Sequence, residues 1–208
     1  MTRKQLASCI CTLALLAAAG SLPCWADAQP PPATLLFLAG PVTAFSKNSG
    51  AELLARGNAW REGVVLRTGN GGRAQAQFTD GTAVSLSPGS DVRLDAYRYD
   101  GAAGAQDSAA FTVYRGSVRF LAGTRRTAGS TLRIATPCAA LSTAGGELLV
   151  EAAGGSIQVS VGNGQLELRN DGGRLLAGAG QRIFVKDRAT APILIGTIVP
   201  APISPAVR

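Results

Sequence analysis

Along the body of the chain hydrophobic and polar side chains alternate with a period of two, and glycine recurs every eight to ten residues as punctuation. Over residues 73–79, Ala74, Ala76 and Phe78 share one face while Arg73, Gln75, Gln77 and Thr79 share the other, the pattern of a strand with one buried side. Asp80-Gly81 follows at once. Asp-Gly between alternating segments predicts a hairpin closed by a two-residue type I′ turn with positive φ at both positions. The return strand, residues 82–87, would bury Val84 and Leu86. Pro88-Gly89 turns the chain again, and Val92, Leu94 and Ala96 alternate with Arg93, Asp95 and Tyr97 in a third strand.

After a polar, glycine-bearing loop over residues 100–107, Phe111 and Val113 resume the alternation. Arg115-Gly116-Ser117 and then Val118 and Phe120 complete what the pattern predicts as another paired unit, ahead of a basic loop around Arg125 and Arg126. Leu132 and Ile134 open the next strand, and Leu148 and Val150 follow Pro137. Gly155, Gly164 and Gly173 then recur nine residues apart, each followed two residues later by Ile157, Leu166 or Leu175. Such a repeat suits successive hairpins in a sandwich or stacked coils of a β-solenoid, and the spacing leaves both open. The alanine- and leucine-rich residues 51–60 are interrupted by Gly57 and Asn58, leaving room for one helical turn at most. The expected class is all-β, built of short antiparallel strands and glycine turns.

The ends read differently. Arg3 and Lys4 precede an apolar stretch over residues 6–19, then Pro23 and the small residues Ala26 and Ala28, the order of a cleavable secretory signal cut after Ala28. The stretch is short of the roughly twenty residues a membrane-spanning helix needs, so no transmembrane helix is expected in the mature chain. Leu6-Ala7-Ser8-Cys9 resembles a lipoprotein box only by residue type, because it lies before most of the apolar stretch. Residues 29–33, with three consecutive prolines, read as a stiff leader. Residues 34–190 read as the β domain. Residues 191–208 carry Pro192, Pro200, Pro202 and Pro205 and read as a tail, in which residues 193–199 retain the makings of an edge strand. Cleavage would discard Cys9, Cys11 and Cys24 and leave Cys138, whose neighbours Ala139, Ala140 and Leu141 predict a buried thiol.

Composition restricts the chemistry. The chain has 20 basic and 13 acidic side chains and no histidine; loss of Arg3, Lys4 and Asp27 with the signal leaves a surplus of six positive charges, nearly all arginine. Without histidine the commonest general base and metal ligand are missing, along with every serine-histidine or cysteine-histidine arrangement. No metal or cofactor is expected, since no donors cluster at metal-site spacing. Asp80, Asp95, Glu147 and Glu151 are the available carboxylates for catalysis, and none stands paired for acid-base work. Thr68-Gly69-Asn70-Gly71-Gly72 lacks the lysine and the strand-loop-helix context of a phosphate loop and reads as a turn. Export excludes cellular nucleic acid as a partner, and no dense basic run with interleaved aromatics is present. Alternation places Arg73, Arg93, Arg119 and Arg133 on the solvent sides of their strands, a candidate binding surface.

Residues 60–94 resemble the core of a FecR domain, the periplasmic portion of ferric-citrate-type regulators. Gly63, Val65, Thr68-Gly69, the strand over residues 74–78, Asp80-Gly81, Leu86, Pro88-Gly89-Ser90 and Leu94 stand in the order of that family. Arg115-Gly116-Ser117-Val118, Ile134-Ala135-Thr136-Pro137, Gly162, Gly164 and Gly180-Gln181 extend the resemblance from about Leu38 to Val185. Ala144-Gly145-Gly146-Glu147 departs from it, where Arg-Gly-Thr is usual. Those regulators place a cytoplasmic sigma-factor-binding segment and a transmembrane helix ahead of the domain, and neither is expected here, since the residues before the domain read as a signal and leader.

The resemblance implies a FecR-type β domain, solenoid-like or sandwich-like. It further implies a non-catalytic periplasmic or secreted module that senses or scaffolds through an envelope protein partner, in cell-surface or iron-related signalling. The alternative function is binding of an anionic envelope glycan through the four arginines, and a carboxylate-based enzyme ranks below both.

Overall fold

The structure, a computed structural model, describes residues 31–47, 50–101, 107–125 and 129–197. The predicted signal, Gln29 and Pro30 of the leader, Arg126 of the basic loop and the tail from residue 198 lie outside them. The described residues form sixteen strands and no helix: β1 (Ala33–Ala39), β2 (Val42–Ser46), β3 (Gly50–Leu53), β4 (Ala59–Trp60), β5 (Val65–Thr68), β6 (Arg73–Phe78), β7 (Ala83–Leu86), β8 (Asp91–Arg98), β9 (Ser108–Leu121), β10 (Thr131–Ala135), β11 (Ala140–Thr143), β12 (Gly146–Ala153), β13 (Ser156–Asn170), β14 (Gly173–Gly178), β15 (Gln181–Val185) and β16 (Ile193–Thr197). Residues 51–60 hold strand and turn where one helical turn had room, and among the described residues no helix is long and apolar enough to cross a membrane.

Alternation sorts these strands into two facing sheets. The first runs β4-β1-β6-β7-β9-β12-β13-β15-β16, and the second β3-β2-β5-β8-β9-β10-β11-β13-β14. β9 and β13 appear in both because each is long and bent, its two halves belonging to different sheets. Through these two strands the sheets join into one continuous sixteen-stranded arrangement, the all-β fold expected from the alternation. Pairing is antiparallel throughout except for β9 with β10, which is parallel. That exception arises because the chain leaves β9 in the first sheet and re-enters the second beside the start of the same strand.

Arg115-Gly116-Ser117, expected inside a paired unit, is instead the bend of the continuous strand β9. Gly116 has φ 93°, open to glycine and strained for other residues, and its missing side chain admits Ser90. The Ser90 hydroxyl donates to Ser117 O and accepts from Ser117 N–H, both at 3.1 Å. The Asp80-Gly81 turn also differs from expectation. Gly81 N–H donates to Phe78 O at 2.9 Å and Phe78 N–H to Thr82 O at 2.8 Å, so Gly81 (φ 84°) follows the tight turn as a bulge residue rather than sitting within a two-residue loop. Of the nine-residue repeat, Gly155 lies in the β12–β13 turn, Gly164 at the bend of β13 and Gly173 at the start of β14.

The core fills the space between the sheets. Phe111 on the second sheet meets Trp60, Phe78 and Phe120 of the first, with ring centroids 5.8, 5.4 and 5.2 Å apart. Trp60 is fully buried and donates its indole N–H to Val64 O at 3.0 Å. Tyr97 of β8 reaches across to the β6–β7 turn, where its hydroxyl accepts from Asp80 N–H and shares a hydrogen bond with the Thr79 hydroxyl, both at 2.9 Å. Burial pushes the Tyr97 phenol up to about 12. Cys138 is buried, as its apolar neighbours predict, and burial also raises its thiol.

Candidate interaction surface

The four arginines singled out by alternation are solvent-facing but divided between the two sheets. Arg73 on β6 and Arg119 on β9 stand on the outer face of the first sheet. Arg93 on β8 and Arg133 on β10 stand on the outer face of the second. Arg119 is paired with Glu147 at 2.7 Å and Arg93 with Asp95, while Arg73 and Arg133 have no ion pair among the described residues.

The second sheet adds arginines that the quartet omits. Arg67 on β5, Asp91 on β8 and Arg115 on β9 lie in one register row. Asp91, only 8% exposed, accepts from Arg67 Nε at 2.9 Å and from Arg115 Nε at 3.0 Å. Its hydrogen bond and charge push the Arg67 guanidinium above its ordinary value, and that group lies 4.6 Å from the centroid of the Phe45 ring. Arg93 is raised in the same way by its hydrogen bond to Asp95 and sits 5.8 Å from the centroid of the exposed Tyr114 ring. Farther along the sheet Arg174 pairs with Glu167 at 2.8 Å, and Arg169 is exposed without an ion pair among the described residues. The strict alternation of β13 around Leu166 and Leu168 was the signal that would have placed Arg169 outward.

The four carboxylates with catalytic potential are each occupied structurally. Asp80, 2% exposed, accepts from Thr82 N–H and the Thr82 hydroxyl, both at 2.8 Å. Asp95 holds Arg93 and accepts from the Thr112 hydroxyl at 2.7 Å. Glu147 holds Arg119, and Glu151 accepts from Gln158 Nε2 at 3.2 Å. Among the described residues no three acidic, cysteine or histidine side chains gather as metal ligands would. A cleft of about 320 Å³ lies where the turn after β10 meets the end of β13, lined by Ala135, Pro137, Cys138, Ala140, Arg169 and Arg188 among others. Arg188 is held by Asp171 at 2.8 Å.

The described residues thus form a two-sheet β domain with crossing strands and an arginine-bearing outer face. The family model described as FecR protein matches residues 64–167, half of the chain, and the chain belongs to the FecR family. The match runs from just before β5 into β13 and so takes in the centre of both sheets. Two crystal structures of a candidate anti-sigma factor from Parabacteroides distasonis share the fold. One, at 18% identity, gives a TM-score of 0.54, and the other, at 20% identity, gives 0.53. In each comparison 64% of this chain aligns and spans 60% of the other's length. Comparison with curated proteins gives no match.

Proposed function

We propose that this chain is a non-catalytic module of the bacterial cell envelope that signals or scaffolds by docking a protein partner. Membership of the FecR family, with the match spanning the centre of both sheets, is the observation that carries the reading. The fold shared with a candidate anti-sigma factor agrees with a regulatory role exerted through protein contacts. The amino-terminal basic, apolar and small-residue order supports export to the periplasm or beyond. Cell-surface or iron-related signalling is the finer form of the same proposal.

The test is proximity crosslinking of the tagged, full-length protein in living cells, with mass spectrometry of what it touches. Reproducible capture of an envelope protein supports a docking module, and a transporter or sigma regulator among the captured proteins supports the signalling form. Capture of cell-wall material alone, or of nothing beyond the chain itself, would overturn the protein-partner reading.

A further inference from the structure

On the outer face of the second sheet Arg67, Arg93, Arg115, Arg133, Arg169 and Arg174 stand against the carboxylates Asp91, Asp95 and Glu167. The register shows what lies between the cations. One row reads Arg93, Thr112, Ala135, Ala140, Arg169 and Arg174 across β8, β9, β10, β11, β13 and β14. The neighbouring row reads Ala110, Arg133, Ser142 and Glu167. Within the first row, three adjacent strands therefore present only the short side chains Thr112, Ala135 and Ala140 between Arg93 and Arg169, with Arg133 standing one row away. With strands about 4.8 Å apart, they leave a shallow trough about 10 to 15 Å wide.

The trough continues into the 320 Å³ cleft, because Ala135, Ala140 and Arg169 line both. Tyr114, 41% exposed, follows Thr112 as the next outward residue of β9 and brings an aromatic ring to the same face. Arg133 and Arg169 are the two guanidinium groups in these rows without a carboxylate among the described residues. They are offset by two strands and two residues, about 10 Å across the sheet and 7 Å along it, or about 12 Å in all, close to the spacing of acidic side chains four residues apart on one face of an extended peptide.

We infer that this trough docks an extended acidic segment of a partner protein, gripped by Arg133 and Arg169 and anchored by one acidic side chain in the cleft. The inference rests on the docking-module reading above and names the surface and the partner chemistry for it. Guanidinium groups suit this task because their donors match a carboxylate in two-point contact. The interspersed carboxylates favour a peptide over a uniformly anionic polymer. Asp95 and Glu167 disfavour a continuous line of sulfate or phosphate, and Glu167, 37% exposed with one carboxylate oxygen on Arg174, can still accept from a backbone N–H or a hydroxyl of a peptide.

The test is fluorescence anisotropy of a labelled Glu-Thr repeat peptide against the purified protein at low salt, with a Lys-Thr repeat as the charge control. Arg133→Ser/Arg169→Ser should weaken Glu-Thr binding about tenfold, since each exposed guanidinium–carboxylate contact is worth a two- to fivefold change. Arg73→Ser/Arg182→Ser removes the same charge from the outer face of the first sheet and should change binding less than about twofold. Both variants alter exposed side chains, so unchanged melting temperatures are expected and serve as the folding check. Equal losses in the two variants, or no Glu-Thr binding together with tight binding of dextran sulfate or phosphatidylglycerol vesicles, would overturn the inference. Protein capture in cells that persists in Arg133→Ser/Arg169→Ser removes this face as the docking site and leaves the proposed function standing.

Discussion

Replacing Gly116 by alanine probes the crossing of β9 from one sheet to the other. An added Cβ would lie 2.3 Å from the Ser90 hydroxyl oxygen and 2.4 Å from Ser90 Cα, so backbone as well as side chain must move. Alanine at φ 93° costs about 1–2 kcal/mol. Displacing Ser90 weakens its two hydrogen bonds to Ser117, about 1 kcal/mol each. The total is about 3–4 kcal/mol. Gly155 is the control, because it shares the conformation (φ 82°) but has no atom within 4 Å of an added Cβ. Gly155→Ala should therefore cost only the backbone strain, about 1–2 kcal/mol. In urea unfolding followed by circular dichroism, with a slope of about 2 kcal/mol per molar, Gly116→Ala should lower the midpoint by about 1.5–2 M and Gly155→Ala by at most about 1 M, each with an unchanged slope. Equal shifts would show that close approach at the bend contributes nothing and would refute the reasoning.

Two further outcomes follow from buried groups. The folded value of Tyr97, about 12, exceeds its unfolded 10.0, so its contribution to stability is fully present below pH 10 and is lost as pH climbs toward 12. That loss is on the order of 2 kcal/mol and should vanish from the alkaline stability profile of Tyr97→Phe; identical profiles for the two proteins would contradict it. Cys138, 2% exposed with its thiol raised by burial, should be alkylated by iodoacetamide only as fast as the domain opens, read from the peptide that carries it. Fast labelling of the native protein at neutral pH would contradict the burial.

Alternation made the strand content and the buried faces legible. Ala74, Ala76 and Phe78, then Val84 and Leu86, then Val92 and Leu94 are all in the core, because period-two patterning is a local consequence of which face meets water. What did not show in the sequence is where a strand changes sheet. Gly116 and Gly81 look alike as turn glycines, yet one bends a continuous strand around Ser90 and the other closes a hairpin. The difference lies in a contact across 26 residues of chain. The arginine quartet shows the same limit: alternation gave the outward side of each strand, but only the pairing reveals that Arg73 and Arg119 look away from Arg93 and Arg133. Arg169, the cation beside the cleft, was equally readable from its own strand and became notable only through its neighbours Ala140 and Ala135.

The two long strands also set the terms on which the domain can be altered. Because β9 pairs with β12 in the first sheet and with β10 in the second, a cut between β9 and β10 would open both sheets at once, and a fragment ending at Glu167, where the family match stops, breaks off within β13. Such a molecule must be transplanted whole when it is fused to other domains. Additions fit at the rims, where β3 and β16 each pair on one side only, and at exposed turns such as the one at Gly154 and Gly155, where a longer connection disturbs neither layer.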